Sequence, residues 1–355
     1  MRTTVTAAIR SLVVVLGLSF FCAAGAQSPA VSPQEADQAK EQATRQVTQP
    51  LNNAPVWKEI RSGEKQYTSI VGRETNVLIQ PQGQTWRAAR VPLATVGGFL
   101  FAAALVVLGA FYLWRGPITV RGAPSGRLIE RFTLVERTVH WIVAITFTTL
   151  AVTGLILTFG KTALLPLIGY TLFSWLAVLA KNLHNFVGPI LIIGVPWLFL
   201  RFIRDNGVGA DDVRWFTNIA GYFKGHEHPS RRFNAGEKVV FWLVLVVAST
   251  TLIVSGLIML FPNFDQTRST MQITNVVHVV AAYLSIALAC VHIYLGTIGM
   301  QGAYRAMRDG YVDESWAEHH HLLWYKEAAS GKSRQKFVVP GRTEAQPAAP
   351  RTRPA

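Results

Sequence analysis

Four histidines stand inside otherwise apolar stretches of this 355-residue chain, at His140, His184, His278 and His292. His278 and His292 share one stretch and lie fourteen residues apart. Fourteen residues make almost four helical turns, so the two imidazoles point to nearly one face, about 21 Å apart along the axis. Neutral imidazole is a good iron ligand. A helix offering one ligand near each side of a hydrocarbon core about 30 Å thick suits two bis-histidine haems stacked across a bilayer. Each iron then needs a second histidine from another helix, and His140 and His184 are the candidates. With both axial positions filled, such haems pass electrons and bind neither oxygen nor substrate.

The elements that must position these residues are membrane spans. Half of the residues are hydrophobic, only 15% are charged, and mean hydropathy is +0.28, a membrane-protein composition. The net charge of +14 would suit nucleic acid. Its placement excludes that partner, because the basic residues sit between apolar stretches and in the tail, as orientation signals do. Cys22 and Cys290 offer no disulfide framework.

Residues 1–26 read as a secretory signal, with Arg2 and Arg10, an apolar stretch from Ser11 to Phe21, and Ala24-Gly25-Ala26 as the cleavage site. An uncleaved anchor is the alternative. Residues 27–90 are polar and read as a small, partly disordered periplasmic segment. Tyr67-Thr68-Ser69-Ile70-Val71 and Asn76-Val77-Leu78-Ile79-Gln80 alternate as a β-hairpin would. Five apolar stretches follow, each long enough to cross: 91–114, an extra N-terminal span, then 137–159, 182–202, 239–261 and 273–300. Residues 327–355 read as a disordered tail.

Connections alternate in charge. Arg115, Arg121, Arg127 and Arg131 precede the second span, and Arg204, Arg214, Lys224, Arg231 and Arg232 lie between the third and fourth. The other loops hold little beyond Lys161, Lys181 and Arg268. Positive-inside counting puts 115–136, 203–238 and the C-terminal tail in the cytoplasm, in agreement with an exported N-terminus. On that topology the histidines sort by depth into His184 with His278 on the outer side and His140 with His292 on the inner side. For one such histidine an interhelical hydrogen bond is as good a reading. Four at matched depths favour ligation.

The second and fourth spans echo each other. Thr148-Thr149-Leu150 through Gly154-Leu155-Ile156 matches Thr250-Thr251-Leu252 through Gly256-Leu257-Ile258, a short repeat compatible with a duplicated hairpin. Gly154 and Gly188 lie on the faces of His140 and His184, where a small residue would admit a macrocycle or a neighbouring helix.

Glu136-Arg137-Thr138-Val139-His140-Trp141, Asn182-Leu183-His184-Asn185-Phe186-Val187-Gly188, Phe233-Asn234-Ala235-Gly236-Glu237-Lys238 and Val291-His292-Ile293-Tyr294 resemble the cytochrome b (gamma) subunit of membrane-bound formate dehydrogenase. So do Gly310-Tyr311-Val312-Asp313 and Trp316-Ala317-Glu318-His319-His320. The resemblance covers roughly residues 115–326. It implies an all-α membrane protein: a four-helix transmembrane di-haem cytochrome b bundle over 115–326, with the extra span and the periplasmic segment added. It also implies two b-type haems held by His140, His184, His278 and His292, and a quinone pocket formed by Asn234, Gly236 and His292. Asn234 has both donor and acceptor for a quinone carbonyl, Gly236 permits close approach, and Asn234 equally suits a helix N-cap. Glu237 stands where the family usually has Gln.

The partners implied are the catalytic (alpha) and iron–sulfur (beta) subunits of formate dehydrogenase, the quinone pool and the bilayer of a bacterial inner membrane. The chain itself carries no constellation for oxidising formate. His319-His320-His321 reads as an interfacial stretch rather than a metal site, His226 and His228 as solvated, and Lys181 and Arg137 as interfacial cations within reach of haem propionates. The competing readings are a cytochrome b serving another periplasmic dehydrogenase, such as a hydrogenase, and a haem-free anchor or transporter whose histidines relay protons.

Overall fold

The computed structural model describes residues 81–120, 123–219, 228–331 and 337–338, together with isolated residues at 37, 40, 41, 44, 58, 61 and 62. The signal sequence, the hairpin, His226 and the end of the tail lie outside the described residues.

The described chain is overwhelmingly helical. Helix α1 spans Pro81–Arg115, α2 Leu134–Ala163, α3 Leu165–Val187, α4 Ile190–Phe202, α5 Ala210–Thr217, α6 Ala235–Leu260 and α7 Arg268–Tyr294. Short helices α8 (Ala303–Asp309), α9 (Glu314–His320) and α10 (Leu322–Ala329) follow. Four helices are long and apolar enough to cross a membrane, and five spans result if α3 and α4 together make one. Their outward residues, among them Leu167, Tyr170, Trp175, Phe186 and Ile193, are exposed large hydrophobics. Water would penalise such a surface and hydrocarbon would not.

The third span differs from the sequence expectation of one helix over 182–202. Leu165–Val187 is already helical, in residues assigned to a loop, and the helix is interrupted at Gly188-Pro189 before α4 begins. Proline has no amide proton to continue a helix, and glycine resists it least when the chain must turn. The tail also differs. Ala329 closes α10, and Phe337–Val338 forms a strand instead of disordered chain.

The chain divides into two compact units. The first gathers residues 81–106, 152–185 and 251–283, and the second 107–151, 186–250 and the described part of 284–355. In the first, Tyr283 packs at a tilt on Phe159 with ring centres 6.2 Å apart and lies against Gly97 of α1. A Cβ at Gly97 would overlap the tyrosine ring, so α1 approaches there only because that residue is glycine.

The second unit holds a polar cap. Strands β1 (Leu128–Glu130), β2 (Tyr311–Asp313) and β3 (Phe337–Val338) make an antiparallel sheet ordered β2-β1-β3, with Ile129 opposite both Val312 and Phe337. Ile129 is fully buried, and Phe132, Phe202 and Phe233 form an edge-packed cluster at 5.4–5.9 Å. Capping boxes start both α2 and α6. Thr133 exchanges bonds with Glu136 and Asn234 with Glu237, each side chain receiving the other residue's amide proton.

The two starts are also cross-linked. Arg131, two residues before its cap, donates to Glu237 at 2.9 Å, and Arg232, two residues before the other, donates to Glu136 at 2.9 Å. The repeat glimpsed in the spans therefore extends to the helix starts, where it is offset by 101 residues. In the spans the offset is 102. Residues Val240–Ala248 of α6 are π-helical, and a π-turn is how a helix absorbs one inserted residue.

Candidate cofactor sites

The first unit brings His184 of α3 and His278 of α7 opposite each other, with ring centres 6.3 Å apart and the ring planes inclined by 66°. The second does the same for His140 of α2 and His292 of α7, at 6.1 Å. A metal midway would stand about 3 Å from each ring centre, which is what an imidazole bond of about 2 Å to a first-row metal requires once roughly 1 Å from nitrogen to ring centre is added. His184 thus stands with His278, and His140 with His292.

Each pair supplies two ligands and no more. Among the described residues, no group of three or more His, Cys, Asp or Glu is placed to hold a bare metal ion. Two opposed imidazoles therefore suit an iron whose four remaining ligands arrive with it in a porphyrin. The rings also have clearance. His140, His184 and His278 are half-buried, His292 is exposed, and His140 Nδ1 is buried without a hydrogen-bond partner. These observations fit haem.

Around the first pair the neighbours repeat. Thr153 Oγ1 lies 2.9 Å from His184 Nδ1, and Ser255 Oγ lies 2.8 Å from His278 Nδ1. Gly154 and Gly256 come next, where a Cβ would stand 3.4 and 3.5 Å from Cε1 of the same two rings. A methyl would touch the imidazole and anything larger would displace it. Sequence reasoning missed Thr153 and Ser255. The signal was the repeat, since each occupies the position before its shared glycine.

Asn234 and Gly236 stand at the start of α6. Asn234 caps the helix, accepting the Glu237 amide at 2.9 Å. Among the described residues neither Asn234 nor Gly236 hydrogen-bonds His292. A Cβ at Gly236 would lie 3.3 Å from Asn234 Oδ1 and 3.4 Å from Trp215, so this corner is closely packed.

Glu237 receives Arg131 on Oε1, and His321 Nε2 lies 4.0 Å from Oε2. Burial lowers the pKa of Arg131, with Glu237 opposing and Arg232 adding to the shift. His321 is fully enclosed by Trp316, Trp324 and Ser230, and its Nδ1–H donates to the Arg231 carbonyl at 2.8 Å. Burial, then Arg131, pushes its pKa down to about 3. His320 and His321 thus belong to a packed cap, which is more than an interfacial stretch. Arg137 Nη1 donates to the Arg308 carbonyl at 2.6 Å, Lys181 is exposed, and His228 Nε2 meets the Asn218 carbonyl at 3.2 Å.

The chain is similar to known membrane cytochromes. The family model described as prokaryotic cytochrome b561 matches residues 131–310. The formate dehydrogenase cytochrome b556(fdo) subunit of Escherichia coli is 33% identical over 208 residues, 56% of this chain and 92% of the relative. The nitrate-inducible cytochrome b556(Fdn) subunit of the same species is 27% identical over 223 residues, 60% of this chain and 97% of the relative. A formate dehydrogenase cytochrome b556 subunit from Haemophilus influenzae is 30% identical over 221 residues, 59% of this chain and 87% of the relative. The family match begins after α1, so the extra span lies outside it.

Proposed function

The chain belongs to the prokaryotic cytochrome b561 family, and from that premise we propose that it is the di-haem membrane subunit of a respiratory formate dehydrogenase. In this reading it carries electrons from catalytic and iron–sulfur subunits on the periplasmic face of a bacterial inner membrane to quinone. The observation that carries it is the pair of facing imidazole couples, 6.3 and 6.1 Å apart, that share α7.

His184 and His278 would hold one b-type haem, and His140 and His292 the other. Each haem, when bound, supplies one-electron redox chemistry at an iron with no open position. The protein's own contribution is to aim four imidazoles from three helices and to surround them with apolar side chains. Positive-inside counting supports an outer His184/His278 pair and an inner His140/His292 pair. A quinone pocket beside the inner pair would use the Asn234 amide as donor, since its Oδ1 is committed to the Glu237 amide. The small backbone profile of Gly236 would border it.

The test is expression with the companion subunits and ample haem. The expected product co-purifies with formate-oxidising and iron–sulfur subunits and holds two low-spin b haems per chain, with a sharp α-band that formate reduces and a quinone analogue reoxidises. Purified complex without iron porphyrin would refute the reading. Companion subunits of a hydrogenase would reassign the electron donor while keeping the haems.

A further inference from the structure

Hydroxyls inside apolar helices ordinarily turn back to the carbonyl four residues earlier. Thr149 does so to Ile145 at 2.8 Å and Thr158 to Gly154 at 2.8 Å. Ser255 also does so, donating to the Thr251 carbonyl at 2.5 Å, yet its oxygen lies 2.8 Å from His278 Nδ1. A serine has one proton, and this one is committed to Thr251. Toward His278 only a lone pair remains, and the Leu252 carbonyl also accepts from this ring, so Nδ1 carries the ring proton and Nε2 is the bare nitrogen. Thr153 holds the equivalent place on α2, 2.9 Å from His184 Nδ1. Two hydroxyls from duplicated positions thus meet the two imidazoles of one pair.

We infer that Thr153 and Ser255 are positioning residues that fix the tautomer and ring orientation of His184 and His278 as axial ligands, and that they lower the reduction potential of the haem held there. The inference rests on the proposed haem ligation. Oriented acceptors on the outer nitrogen of a metal-bound imidazole make the ligand more basic and are a principal means of tuning the metal. Higher ligand basicity favours the ferric form.

The other pair has no such support. His140 Nδ1 is buried without a partner, and His292 has no hydroxyl on its ring, only the Glu237 carboxylate within electrostatic reach. One chain therefore holds two chemically similar sites in unequal states, with hydroxyls on both rings at His184/His278 and on neither at His140/His292. The hydroxyls favour the lower potential at the first pair, and the Glu237 carboxylate near His292 is the one opposing charge at the second. That gradient runs downhill in the direction of electron flow proposed above.

The experiment is a spectroelectrochemical titration of the purified complex carrying Ser255→Ala or Thr153→Val, with haem content and low-spin electron paramagnetic resonance recorded alongside. The wild type first answers the separate question: if it holds no haem, the ligation reading fails before this one is tested. With two haems bound, the lower-potential transition is expected to move up in each variant while the higher stays. Ser255→Thr and Thr153→Ser should restore it. Loss of one haem in Ser255→Ala, recovered in Ser255→Thr, supports the same role. Potentials unmoved in both variants overturn the inference, as do equal shifts of both haems or a haem loss that the conservative variants fail to repair.

Discussion

Arg232 donates from Nη2 to Glu136 at 2.9 Å, and both side chains are only 8% exposed. The bond ties the loop before α6 to the first turn of α2, while Arg131 returns the favour to Glu237. Asp205 takes Arg232 Nη1, and the Arg131 carbonyl accepts from both Nε and Nη2. Glu136→Ala removes one of the guanidinium's two carboxylates, and with Asp205 still bound the loss should fall below the about 3–5 kcal/mol of a fully stranded buried charge. Thermal denaturation of the detergent-solubilised protein should show the loss. Replacing both partners, as Arg232→Met with Glu136→Leu, should cost clearly less than either single change.

His321 gives the cap a pH dependence with a definite sign. Unfolded, its imidazole takes a proton near its ordinary value of 6.5, whereas folded it stays neutral down to about 3. Between those values the unfolded state binds more protons, so stability is full above 6.5 and falls as pH drops through the window. The groups facing it are Arg131, Glu237, His320 and the Arg231 carbonyl. The slope contributed is at most about 1.4 kcal/mol per pH unit. Melting curves from pH 7 to pH 4 should flatten in His321→Asn relative to wild type.

Much of this was legible in the sequence for a simple reason. An apolar stretch of twenty or more residues has few alternatives to a membrane helix, and four of the five spans fall where hydropathy puts them. The four histidines could be paired because depth and helical phase constrain ligands that must meet. The α3–α4 break was not read from the sequence, because the span was started at the polar interval Lys181-Asn182-Leu183-His184-Asn185, which the helix runs through before it stops at Gly188-Pro189. Strands of two or three residues, such as Leu128–Glu130, are too short to show a period of two. Thr153 and Ser255 were hidden for a subtler reason. The repeat sets each of them before a shared glycine, yet a helix-buried hydroxyl ordinarily bonds its own backbone, and the folded chain shows that these two have a histidine opposite.

Gly97 and Tyr283 should prove energetically coupled. Gly97→Ala drives a methyl into the tyrosine ring, and overpacking of this kind typically costs about 1–3 kcal/mol. Tyr283→Ala opens a cavity in the same place. The double variant should be less destabilised than the sum of the single changes, because the methyl then has somewhere to go. Urea or thermal unfolding of the four proteins measures the coupling, and strict additivity would mean that α1 does not rest on Tyr283.

The two roles of Asn234 can be separated by substitution. Asn234→Ala removes the acceptor for the Glu237 amide and should cost about 1 kcal/mol as a lost helix cap. Asn234→Ser keeps a capping oxygen and loses only the amide donor. If Asn234 serves quinone, both variants should slow quinol formation with haem content unchanged, while only the alanine lowers the melting temperature. Equal turnover in Asn234→Ser and wild type would leave the residue a cap alone.

The histidine pairs make the sharpest prediction, because each member fails with its partner. His184→Ala or His278→Ala should remove one haem and leave the other with an unaltered α-band, since His140 and His292 face each other in the second unit and share no ligand with the first. His140→Ala and His292→Ala should remove the complementary haem. The double change His184→Ala with His278→Ala should be no worse in haem content than either single change, because one lost axial bond already releases the iron from its other imidazole. Pyridine haemochrome counts on the purified complex read this directly. Two haems retained in any of the four single variants, or one haem left after His184→Ala with His292→Ala, would mean that the ligands are paired differently.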